Sequence, residues 1–138
     1  MIQRISHASL LVEDQDVALD FYVNKLGFES RMDVDMGGWR WLTVSPKSQP
    51  DLELILLPIR RGAKPDEATV AQITELLRSG KMPVSVMRTA DCRKTYEDLS
   101  AKGVEFDSPP KDQFYGIEAI LKDPFGNRFS LTQPKQQP

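Results

Sequence analysis

A chain of 138 residues, 40% hydrophobic and 28% charged, is long enough for one packed domain and too evenly composed for wholesale disorder. Its net charge of −2 offers no broad basic field, so neither nucleic acid nor an anionic membrane is an expected partner. The single cysteine, Cys92, excludes an internal disulfide, and no CxxC or Cys/His zinc spacing occurs, which points to a reducing cytoplasm. The N-terminus MIQRISHASLLVED breaks its apolar run at His7 and does not read as a signal peptide; no stretch approaches a membrane span.

RISHASLLVE (residues 4–13) reads as a strand with Ile5, His7, Ser9 and Leu11 on one face. Asp14 or Asp16 caps the helix after it, Val17, Ala18, Phe21, Tyr22 and Leu26 line its apolar side, and Gly27 stops it. Strands are expected at 28–34, at 39–45 after the Gly37–Gly38 turn, and at 51–57. The first module, about residues 4–57, is therefore β-α-β-β-β. The connection 58–82 carries its own helix, opened by Asp66, striped by Val70, Ile73, Leu76 and Leu77, and ended by Gly80. Arg60, Arg61 and Lys64 ahead of it read as a solvated loop. The pattern then restarts over about 83–133. A strand at 83–90 leads to the cap Asp91, a helix faced by Cys92, Tyr96 and Leu99, the stop Gly103, and strands at 104–106, 114–122 and 128–133. The tail 134–138 reads as frayed.

Asp14 and Asp91 stand 77 positions apart and Gly27 and Gly103 stand 76 apart, so the two helices differ by one residue. A repeat of this kind decides architecture before other signals do. The expected fold class is α+β: a single domain of two tandem βαβββ modules forming a cupped mixed sheet, with an extra helix in the inter-module connection. Two such modules side by side leave a concave, partly apolar sheet, which is a natural pocket.

HASLLVEDQDVALDFYVNKLGF, its looser repeat VSVMRTADCRKTYEDLSAKGV, and DPFGNRFSLTQ near the end resemble the glyoxalase/bleomycin-resistance/extradiol-dioxygenase superfamily, the vicinal oxygen chelate proteins. The resemblance implies paired βαβββ modules and commonly a homodimer. For the enzymes of the family it also implies a divalent metal held by side chains from the first and last strand of each module. Carried over residue by residue, those positions are His7 and Glu53 in the first module. In the second they are Val84, seven before Asp91 as His7 is seven before Asp14, and Ser130. Valine has no lone pair and a serine hydroxyl is a feeble ligand, so the resemblance implies a degenerate metal site. No cofactor is expected, while His7 and Glu53 leave a partial set for Zn, Ni, Fe or Mn open. Ser85 and Glu118 are the nearest polar residues that could complete it.

The expected function is binding of a small organic molecule in the cupped sheet. His7 and Glu53 are the catalytic candidates, read as a hydrogen-bonded pair, and Trp39, Trp41, Val84, Tyr115 and Ser130 are the pocket candidates. Two alternatives stand beside it: a metal-dependent lyase, isomerase or dioxygenase of the same superfamily, and a metal-free enzyme using His7 and Glu53 as acid and base. Each residue also has a plainer reading. The sole histidine suits a satisfied core position, and the two tryptophans, which share a face, suit a core or dimer interface. Arg88 answers a ligand carboxylate or a surface acid. Cys92 follows a helix cap, but its place in the stripe with Tyr96 and Leu99 favours inert packing. No nucleophile elbow, P-loop or GxGxxG occurs.

Overall fold

The computed structural model describes residues 1–136. Its first half runs β1 (His7–Val12), α1 (Gln15–Leu19), β2 (Glu29–Asp35), β3 (Arg40–Ser45) and β4 (Glu53–Pro58). After α2 (Glu67–Ser79) come β5 (Ser85–Arg88), α3 (Cys92–Ala101), β6 (Glu105–Gln113), β7 (Gly116–Lys122) and β8 (Arg128–Pro134). The fold is α+β, with two four-stranded mixed sheets ordered β1-β4-β3-β2 and β5-β8-β7-β6. In each sheet the first strand runs parallel to the last and the remaining pairs are antiparallel. The chain divides into two compact units, Met1–Thr74 and the residues from Glu75 onward, with the boundary inside α2.

The caps are the expected ones. Asp14 accepts the Val17 N–H at 2.9 Å and Asp91 accepts the Lys94 N–H at 3.0 Å, each satisfying an orphan donor of a first turn. The one-residue difference between the two helices has a physical solution. α1 continues through residues 20–25 as a π-helix, in which the Leu26 N–H bonds to the Phe21 carbonyl five residues back. That wider turn absorbs one residue and still buries Ala18, Phe21 and Tyr22 on the sheet side. Strand alternation sends Leu42, Val44 and Leu56 into this core and leaves Trp41, Thr43 and Glu53 on the opposite face. In the second unit Cys92, Leu99, Ala119, Leu121, Phe129 and Leu131 make the corresponding core.

Several strands depart from expectation, β1 among them, which begins at His7 and leaves Ile5 outside it. β6 runs on to Gln113 through Pro109 and Pro110 instead of ending at 106. It is an edge strand of its sheet, and the register shift between Ser108 and Lys111 takes up the two prolines, which cannot donate to a ladder. β5 is shorter than expected, four residues in place of eight. Pro134 closes β8, and the Lys135 N–H bonds the Tyr115 carbonyl at 3.1 Å, so the chain is still anchored where fraying was expected to start. Residues 137 and 138 of that tail lie outside the described residues.

The DPFGN turn is built on Asp123. Its carboxylate accepts the backbone N–H of Phe125 and of Asn127, both at 2.9 Å, and the Asn127 side-chain amide at 2.8 Å. Gly126 adopts φ +98°, and a Cβ there would lie 2.3 Å from the Leu77 carbonyl oxygen at the end of α2. Among the described residues no helix is long and apolar enough to cross a membrane.

Candidate functional site

The first unit brings His7 and Glu53 together because β1 and β4 are parallel neighbours with these two residues as register partners. His7 Nε2 lies 3.5 Å from Glu53 Oε2, with the side chains 34% and 24% exposed. The other imidazole nitrogen, Nδ1, is 2.8 Å from Ser6 Oγ. Glu53 Oε1 accepts the Thr43 hydroxyl at 2.6 Å, and Thr43 Oγ1 in turn accepts the Met32 N–H at 3.1 Å, at the bulge in β2. One carboxylate oxygen is thus held by a fully buried hydroxyl, while the other lies near the imidazole at a distance longer than the hydrogen bond expected for the pair. Beside it the rings form a line: His7 to Trp41 at 5.7 Å between centroids, and Trp41 to Trp39 at 5.8 Å, edge to face. Trp39 is 52% exposed.

The second unit has a different constellation at the same place in its sheet. Ser130, 1% exposed, donates its hydroxyl to Glu118 Oε2 at 2.5 Å and lies 2.7 Å from the Thr132 hydroxyl. Because a serine has one hydrogen to give, Thr132 is the donor in the second bond. Glu118 Oε1 accepts the Tyr115 phenol at 2.5 Å. That bond, with the carboxylate charge behind it, pushes the Tyr115 phenol above its usual pKa and keeps it a donor. Sequence reasoning placed Tyr115 and Ser130 in a pocket and named Glu118 only as a neighbour; the structure makes Glu118 the hub. Thr43 was missed altogether, although strand alternation from Trp39 and Trp41 leads to it.

Counting back from Asp91 gives Val84, but the β5–β8 register sets Val86 opposite Ser130, as His7 stands opposite Glu53. The link from that position to the cap is two residues shorter in the second module. Val84 precedes β5 on the same side, and both valines are exposed. Cys92 is fully buried, its Sγ–H donating to the Leu131 carbonyl at 3.3 Å, and burial pushes its thiol pKa up, opposite to an activated cysteine.

A divalent metal finds few donors here. The first unit offers His7 and Glu53, one oxygen of the latter already bonded to Thr43, and the second offers Val86 and Ser130 at the matching register. Among the described residues no three His, Cys, Asp or Glu side chains gather. Zinc and similar sites take three or more protein ligands, so these residues do not fit one.

Comparison with known proteins agrees with the fold. A protein of Bacillus subtilis (strain 168), YurT, is 36% identical over 131 residues, covering 94% of this chain and 98% of its own. The crystal structure of UcmS2 superposes with a TM-score of 0.90 at 41% identity, covering 96% of this chain and 99% of that one. TnmS3, described as an antibiotic binding protein from Streptomyces sp. CB03234, superposes with a TM-score of 0.75 at 30% identity over 97% and 98% of the two chains. The model of the Glyoxalase/Bleomycin resistance protein/Dioxygenase superfamily matches residues 4–131, and the chain belongs to that superfamily.

Proposed function

We propose that this protein binds a small, largely apolar aromatic molecule against the open face of its first sheet and acts by holding it. The observation that supports this reading most is the line of rings from His7 through Trp41 to the half-exposed Trp39, which offers stacking area beside a single held carboxylate. The likeness to TnmS3 makes an antibiotic a natural ligand class. The degenerate donor set agrees with binding that needs no metal. The proposed setting is cytoplasmic, with two copies associating. Tryptophan fluorescence titrated with a panel of planar aromatic antibiotics tests the reading. Saturable quenching whose affinity falls in each single variant, Trp39→Ala and Trp41→Ala, with the remaining tryptophan as reporter, is the expected result, and no quenching by any member would overturn it.

One observation favours a second reading. His7 and Glu53 face each other at 3.5 Å with Thr43 behind, which brings an imidazole and a carboxylate, the two parts of a metal-free acid–base pair, to one place. Turnover that disappears in both His7→Ala and Glu53→Gln, with melting unchanged, would favour it over holding alone.

A further inference from the structure

Glu118 sits on a strand interior with Ile120 two residues on, and its neighbour Ser130 has Val86 and Ile120 as register partners. Lys111 stands opposite it on β6, yet Glu118 makes no ion pair among the described residues. Its negative charge is met by two hydroxyls only. One of them belongs to the buried Ser130 and is part of the sheet. The other is the phenol of Tyr115, in the two-residue Phe114–Tyr115 turn between β6 and β7, 39% exposed. The Tyr115 backbone is pinned by Lys135, so the phenol can leave Glu118 by rotation of its side chain alone.

We propose that Glu118 is the polar anchor of an aromatic-binding face on the second sheet and takes the phenolic hydroxyl of a molecule seated on that face, with Tyr115 as the built-in competitor that holds the place until a ligand arrives. This rests on the reading above that the protein binds aromatic molecules and adds the group that a ligand of the second sheet must carry. The chemistry is read from the occupant: a phenol O–H is already seated on the carboxylate, and a ligand phenol makes the same charge-assisted bond. Exchange of one phenol for another gains little, so the competitor sets the affinity.

Calorimetry with 2-naphthol and its methyl ether, 2-methoxynaphthalene, separates the cases. In the unaltered protein the preference for 2-naphthol is small, because Tyr115 must be displaced. Tyr115→Phe frees the acceptor and widens that preference about fivefold, one hydrogen bond no longer being broken. Adding Glu118→Gln removes most of the gain. A preference that is unchanged or narrowed in Tyr115→Phe overturns the proposal while leaving aromatic binding intact. If neither probe binds any variant, the aromatic-ligand reading falls and takes this one with it. Tyr115 is surface-exposed and its replacement keeps the ring, so the single variant decides the matter even where Glu118→Gln fails to fold.

Discussion

Ser130 donates its hydroxyl hydrogen to Glu118 from β8 to β7, and the first unit contains the same bond with its ends exchanged, Thr43 on β3 donating to Glu53 on β4. Each sheet bonds a hydroxyl to a carboxylate across its two central strands, but the carboxylate has moved across one strand. The two hydroxyls carry unequal loads. Thr43 also accepts the Met32 N–H, so Thr43→Val leaves a backbone donor and a carboxylate short of partners and is expected to cost about 1–3 kcal/mol. Ser130→Ala leaves Glu118 with Tyr115 and is expected to cost about 1 kcal/mol. Urea unfolding measures both, and equal losses would mean the bulge contact at Met32 contributes nothing.

The repeat made most of the fold legible. Cap aspartates and stop glycines fixed the helices, and alternation fixed which strand residues face the core. What stayed hidden was set by pairing, which no single strand announces. Val86 and not Val84 stands opposite Ser130 because the link from β5 to the helix cap is two residues shorter than its counterpart after β1, and β6 survives Pro109 and Pro110 because it lies at an edge. His7 and Glu53 were readable as a pair from their family positions. Glu118 was not, since its partners come from a turn and a neighbouring strand.

The π-helix predicts an asymmetry between the two helices. Asn24 is exposed in the π stretch, and deleting it returns α1 to the length of α3. That variant is expected to fold with a cooperative transition and a modest stability loss. Deleting the exposed Glu97 from α3 instead turns the residues after it by about 100° and carries Leu99 off the core face. Circular dichroism melting should show a lost or strongly broadened transition for the second deletion only. Equal damage from both would show that the wide turn has a role beyond absorbing a residue.

Gly126 and Gly62 both have positive φ, +98° and +82°, but only Gly126 is crowded. Alanine at position 62 meets nothing within 4 Å, so it bears the left-handed backbone penalty alone, about 1–2 kcal/mol. Alanine at 126 adds a clash with the Leu77 backbone and must push α2 off the DPFGN turn, where Arg128 also bonds the Leu77 carbonyl at 3.1 Å. Its loss is expected to exceed that of Gly62→Ala by at least about 1 kcal/mol, a typical overpacking cost. Chemical denaturation of the two variants side by side checks this, and a smaller loss at 126 would contradict the packing of α2 on the turn.

Acid stability follows from two aspartates held by arginines. The Arg40 fork bonds Asp33 at 2.7 and 2.9 Å and keeps its carboxyl below the usual range. Arg128 bonds Asp107 and does the same, with Lys122 adding to it. A carboxylate whose folded pKa lies below its unfolded value of about 3.9 binds fewer protons when folded. Its contribution is therefore complete above that unfolded value and is lost as pH falls through the folded one. The melting temperature is expected to be flat from neutral pH down to about 5 with respect to these pairs, and to drop as pH falls below about 4. Asp33→Asn with Asp107→Asn should lower the neutral plateau and flatten the acid limb, because the amides do not titrate. Both carboxylates are partly solvated, so added salt should weaken the effect. An acid limb as steep in the double variant as in the parent would place the titrating groups elsewhere.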